Sequence, residues 1–106
     1  MKESQLENAI IESAHRLRWI VAHFSPSPIT RKGETIYRTA FKADSKGFPD
    51  LVLVRERLVL AELKIHPRKP SDEQLEWARR LTAAGVEVYL WTNRDWASGV
   101  IEEVLR

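Results

Sequence analysis

Glu62 and Lys64 stand two residues apart in Leu58-Val-Leu-Ala-Glu-Leu-Lys-Ile65, an aliphatic run bounded by polar residues that reads as a β-strand. Alternate side chains of a strand share a face, so Leu58, Leu60, Glu62 and Lys64 point one way and Val59, Ala61, Leu63 and Ile65 the other. Taken alone, a carboxylate and an ammonium on that face make a same-face ion pair and nothing more. Asp50 changes the reading. It follows Pro49 at the head of a second apolar run, Asp50 to Val54, twelve positions before Glu62. If Arg55-Glu56-Arg57 forms the turn of a hairpin, Asp50 pairs near the Glu62 end of its neighbour. Two carboxylates that converge are costly without a cation. With no cysteine in the chain and three scattered histidines, the donors are hard oxygens, which select Mg²⁺, with Mn²⁺ as a substitute, over zinc.

The elements that must position these residues follow from periodicity. Leu6, Ile10, Ala14 and Leu17 repeat at helical spacing and predict a helix over 4–18, with Ser4 as its N-cap. Residues 20–24 make a short apolar strand. Ser25-Pro-Ser-Pro28 interrupts regular structure, and the polar, basic stretch to Gly47 predicts a long loop, a feature that is usually functional in a small domain. Pro67 and Pro70 end the Glu62 strand. Ser71-Asp-Glu-Gln74 has the form of a capping box and opens a helix whose buried stripe is Leu75, Ala78 and Leu81, with Gly85 just past its end. Residues 86–91 predict a fourth strand and residues 96–105 a terminal helix. The order αβββαβα, a hairpin followed by a strand-helix-strand crossover, predicts a single α/β domain over 1–106 with a mixed sheet flanked by helices.

In this order and spacing the chain resembles the virus-type replication-repair nuclease (VRR-NUC) domain of the PD-(D/E)xK nuclease superfamily. The matching stretches are Gly47-Phe-Pro-Asp-Leu-Val-Leu-Val54, Ala61-Glu-Leu-Lys64, Ser71-Asp-Glu-Gln-Leu-Glu-Trp77 and Ala84-Gly-Val-Glu-Val-Tyr89. The resemblance implies a restriction-endonuclease-like core and metal-dependent hydrolysis of phosphodiester bonds. Asp50, Glu62 and the backbone carbonyl of Leu63 would bind Mg²⁺, and Lys64 would act on the attacking water and the phosphate. It also implies a first-helix glutamate at the metal, for which Glu7 is the choice and Glu3 the alternative, since both border the apolar stripe. Gln74 matches a glutamine used beside such sites, although the capping box explains it equally well. The four tryptophans read as core or interface anchors.

The net charge of +2 is too small to imply nucleic acid, but its distribution is uneven. Between residues 31 and 46 five cations face two anions, and Lys64, His66, Arg68 and Lys69 follow as a second cluster. Arg31, Lys32, Arg38, Lys46, Arg68 and Lys69 are the expected phosphate contacts. No base-reading motif is present, so DNA is expected to be recognised by shape.

Domains of this family serve phage and bacterial replication and repair. The expectation is therefore a structure-selective endodeoxyribonuclease on branched DNA, with a Holliday-junction resolvase-like activity first. A flap or restriction-type nuclease using the same residues, or a catalytically silent DNA-binding module, is the alternative. Cutting a four-way junction symmetrically implies a homodimer, for which Trp91, Trp96, Val100, Ile101 and Val104 are candidate contacts. No small-molecule cofactor is expected. The chain has neither a span-length apolar run nor the basic-then-apolar order of a signal peptide, so the expected location is the cytoplasm of a bacterium or phage-infected host.

Overall fold

In the computed structural model, which describes residues 1–24 and 43–106 in full and the backbone of 27–31 and 34–38, helix α1 (Glu3–Arg16) buries Leu6, Ile10 and Ala14. It opens earlier than its sequence suggests. Gln5 Oε1 accepts the Lys2 backbone N–H at 2.7 Å, so Lys2 takes the cap position and Ser4 lies inside the first turn. Arg18, in the left-handed region at φ 72°, turns the chain so that the Trp19 N–H bonds back to the Ala14 carbonyl at 2.9 Å.

Strand β1 (Ile20–His23) follows, then β2 (Ser27–Arg31) and β3 (Glu34–Arg38), β4 (Leu51–Val54), β5 (Leu58–Lys64), helix α2 (Asp72–Ala83) and β6 (Glu87–Thr92). The main sheet has the order β1-β4-β5-β6. Its first two pairings are antiparallel and β5–β6 is parallel, with α2 as the crossover. This is the mixed α/β sheet expected. The stretch read as a long loop, however, contains a separate antiparallel hairpin, β2–β3, with Ile29 opposite Ile36 and Thr30 opposite Thr35. Facing β-branched residues favour a ladder. The prolines and charges around them hid that signal.

Leu51, Leu53, Val59, Ala61, Leu63 and Trp91 meet α1 on one face of the sheet, and Ile101 and Leu105 complete this core. The terminal helix is in fact two, α3 (Asn93–Ser98) and α4 (Val100–Leu105), because Gly99 sits at φ +83° and breaks the helical path. Trp91 and Ile101 are fully buried, with Trp96 and Val104 packed beside them. These residues therefore pack the terminal helices on the sheet, and only Val100 of the proposed interface set is exposed. The opposite face is covered less well. No residue of α2 is buried, and Leu75, assigned to a buried stripe, is exposed, because α2 lies over only part of the sheet. Across β1, β4 and β5 the directly opposed row Ile20, Val54, Leu58 stays exposed.

The β4–β5 turn locks the end of the sheet bearing that row. Arg55 and Arg57 stack over Trp19 at 4.7 and 5.1 Å, and Arg55 donates to the carbonyls of Leu17, Leu105 and Arg106. Trp19 Nε1 adds a 2.8 Å bond to Leu105. No helix among the described residues is long and apolar enough to cross a membrane.

Candidate active site

The other end of the sheet is where charge collects. Leu51 pairs with Ala61, so the register carried back one residue sets Asp50 opposite Glu62. Asp50 does not swing free. Its Oδ2 accepts the backbone N–H of Leu63 at 2.8 Å, which holds the carboxylate against β5.

Glu62 is only 3% exposed. Its Oε1 accepts a 2.7 Å hydrogen bond from Gln74 Nε2, while its Oε2 is buried with no partner. Burial and then the negative charge of Asp50 push the Glu62 carboxyl up to about 9, against the pull of Lys64 in the other direction. A buried carboxyl with one oxygen unsatisfied and a second carboxylate beside it is held out of its ordinary ionised state.

Gln74 both caps its helix and touches Glu62. Its Oε1 accepts the Ser71 backbone N–H at 2.8 Å and its own N–H donates to Ser71 Oγ at 3.2 Å, completing the capping box of α2. The cap occupies the amide oxygen, which leaves the NH₂ to reach Glu62. Gly47 makes that reach possible. At φ +87° it lies so close to α2 that an added Cβ would stand 2.6 Å from the Glu73 carbonyl carbon and 2.8 Å from the Gln74 nitrogen. Trp77 Nε1 bonds the Asp44 and Lys46 carbonyls at 3.0 and 3.1 Å, so the loop before Asp50 and the start of α2 are fastened together.

The first helix brings two acids to this end. The half-buried Glu3 carboxyl is raised by burial and by Asp50 and drawn down by Lys64 and Arg68. Glu7 is raised by burial and drawn down by His23, whose Nδ1 lies 3.4 Å from Glu7 Oε1. Glu3 acts electrostatically on Glu62, and Glu7, besides its contact with His23, feels the charges of Asp50 and Glu3. Leu63, fully buried, can offer the site only its backbone.

Of the expected phosphate contacts, Arg68 and Lys69 are exposed on the loop that follows β5. Lys46 is exposed but pairs with Glu73 at 3.4 Å. Lys32, and the side chains of Arg31 and Arg38, lie outside the described residues. Sequence reasoning passed over Gly47 and Phe48 as mere flanks of Asp50; the signal for Gly47 was a glycine two positions before the proline, which does not reveal what it packs against.

Among the described residues, no three His, Asp or Glu side chains converge as a ready-made ligand set. Mg²⁺ needs none, since it is commonly held by one or two carboxylates with waters filling the remaining positions. The unsatisfied Glu62 Oε2 beside Asp50, with hard oxygen donors throughout, fits that ion.

A solved structure described as a VRR_NUC domain shares this fold, with a TM-score of 0.66 and 20% identity over 94% of this chain and 94% of that one. No protein-family model and no curated protein matches the chain. The helix-flanked mixed sheet is thus that of a VRR_NUC domain, the fold that the sequence resemblance implied.

Proposed function

We propose that this chain is a Mg²⁺-dependent, structure-selective endodeoxyribonuclease acting on branched DNA, with four-way junctions as the leading substrate. The observation that carries the reading is the Asp50–Glu62 pair, one oxygen of which is buried without a partner, on a VRR_NUC-like fold. Asp50, Glu62 and the Leu63 carbonyl would hold the ion, joined by a first-helix glutamate, Glu7 or its alternative Glu3, both of which lie in the field of Asp50. Mg²⁺ held there would supply Lewis acidity, activating water for attack and offsetting charge that builds on the phosphate. Mn²⁺ meets the same donor requirement.

The chain's own residues do the positioning. The Leu63 N–H fixes Asp50, the Gln74 amide fixes Glu62, and Lys64, next but one along β5, presents an ammonium to water and phosphate. Arg68 and Lys69 grip the phosphate backbone without regard to sequence. A twofold homodimer would place two such sites symmetrically on a junction.

The test is incubation of labelled four-way junction, flap and linear duplex with the protein, in Mg²⁺ and in EDTA, together with light scattering. Metal-dependent paired cuts in the junction and a particle of about twice the 12.3 kDa chain mass are expected. Cleavage confined to flaps by a monomer would replace the resolvase reading with a flap nuclease. Tight DNA binding with no cleavage under any metal would leave a silent binding module.

A further inference from the structure

Phe24 immediately follows β1, and its backbone N–H donates to the Asp50 carbonyl at 2.9 Å. The β1–β4 and β4–β5 registers, each carried one residue on, set Phe24, Asp50 and Glu62 in a single row across three strands. Val21 packs on the core and His23 reaches Glu7 on the α1 side, so alternation turns Phe24 to the opposite face, the one that Glu62 shares with α2.

The ring is 53% exposed, yet it is not loose. It meets Phe48 edge to face at 5.8 Å, and Phe48 meets Trp77 in the same manner at 5.1 Å. Trp77 is tied by its indole to two backbone carbonyls. Three aromatic side chains thus hold the outermost ring at a set angle beside a charged site, with about half of it offered to solvent.

We propose that Phe24 is a stacking surface for an unpaired nucleobase adjacent to the scissile phosphate, and that it biases the site toward branch points and frayed ends. The proposal deepens the nuclease reading and rests on it. In continuous duplex both faces of every base are covered by its neighbours, so the ring has nothing to stack on. At a fork or crossover a base is free. Every base has a π-face, so such a contact selects DNA structure and ignores sequence. Lys64 and Arg68 would take the phosphate while the ring takes the apolar half of the same nucleotide.

The experiment measures binding by fluorescence anisotropy in EDTA, comparing a fork with unpaired thymidine arms against blunt duplex of the same length, for wild type, Phe24→Ala and Phe24→Trp. Phe24→Ala should lose about tenfold in affinity for the fork, as expected for one base unstacked from an aromatic ring, and stay within about twofold on duplex. Phe24→Trp should recover the fork affinity. Unchanged fork binding by Phe24→Ala overturns the proposal, and so does an equal loss on fork and duplex, which would mark a contribution to folding alone. Wild-type cleavage of the same fork in Mg²⁺ is scored separately: a Phe24-dependent fork preference without cleavage removes the nuclease reading and keeps the stacking, and cleavage with no Phe24 dependence does the reverse.

Discussion

Replacing Glu62 with Gln should stabilise the metal-free protein at neutral pH while removing its response to metal. The wild-type carboxyl is held up near 9 by burial and by Asp50, whereas an unfolded chain releases the same proton near its ordinary value of 4.5. Between those limits the native state binds the extra proton, so stability contributed below 4.5 is lost progressively as pH rises through 9. The slope is about 1.4 kcal/mol per pH unit for one proton, or about 3 kcal/mol between pH 5 and pH 7. Because Glu62 lies directly beside a second carboxylate, about 3 kcal/mol is the upper end of the effect. Glu62→Gln keeps an oxygen for the Gln74 amide and puts an NH₂ donor in place of the unsatisfied Oε2. It cannot titrate, so the stability difference between variant and wild type should widen by up to that amount from pH 5 to pH 7, roughly 13 °C in melting temperature for a domain of this size.

Thermal melts in EDTA from pH 5 to 9 read the difference directly, and pH effects of groups remote from Glu62 cancel in it. Added Mg²⁺ should raise the wild-type melting temperature increasingly as pH rises, because the ion competes with the proton, and should leave Glu62→Gln unmoved. A variant less stable than wild type at pH 7, or a difference that stays flat across the range, would refute the claim that Glu62 is a frustrated carboxyl waiting for a cation.

Three further outcomes are expected. Lys64→Met should retain the Mg²⁺-dependent stabilisation but lose cleavage by at least about a hundredfold, since electrostatic groups aimed at developing charge carry effects of that size; loss of stability with the rate intact would return Lys64 to the role of a simple ion-pair partner. Neutralising Arg68 and Lys69 together should flatten the salt dependence of DNA affinity by about two units of log–log slope across all sequences, and an unchanged slope would place that loop away from the phosphates. Gly47→Ala should cost about 2–4 kcal/mol, from a side chain forced into the left-handed region and a Cβ driven against the α2 backbone. Hydrogen exchange should show the damage first in α2, and exchange no faster there than in β5 would contradict the close fit of Gly47 against that helix.

The arrangement of the candidate site on β4 and β5 was legible in the sequence because it rests on strand alternation and one hairpin register. Asp50, Glu62 and Lys64 needed only those two rules, and β4 and β5 obey them. The β2–β3 hairpin was hidden because Pro28 and a run of charges masked a short β-branched ladder. The break at Gly99 looked like an interior glycine that a helix tolerates, and only its positive φ reveals two helices. Choosing between Glu3 and Glu7 was beyond periodicity. Both border the same stripe of α1 and both feel the charge of Asp50, and Glu7 has His23 as a further neighbour. That neighbour is set by the crossing of α1 over the sheet.

The two ends of the sheet are secured by different physics, and the difference bears on function. At the β4–β5 turn, two guanidinium groups, an indole and the chain's final carbonyls interlock around the packed core. At the Glu62 end, α2 has no buried residue and is attached through the Gln74 amide, the Trp77 indole and the close approach of Gly47. The same helix carries Trp77, which meets Phe48 edge to face, and Glu73, which pairs with Lys46, so polar and aromatic contacts rather than a buried aliphatic stripe fasten it to the loop before Asp50. Yet Gln74 can orient Glu62 only while Ser71 occupies its amide oxygen, and that happens only when α2 is formed. The cap of α2 and the hydrogen bond that orients Glu62 are therefore linked through one side chain, while the β4–β5 register brings the two carboxylates together without it.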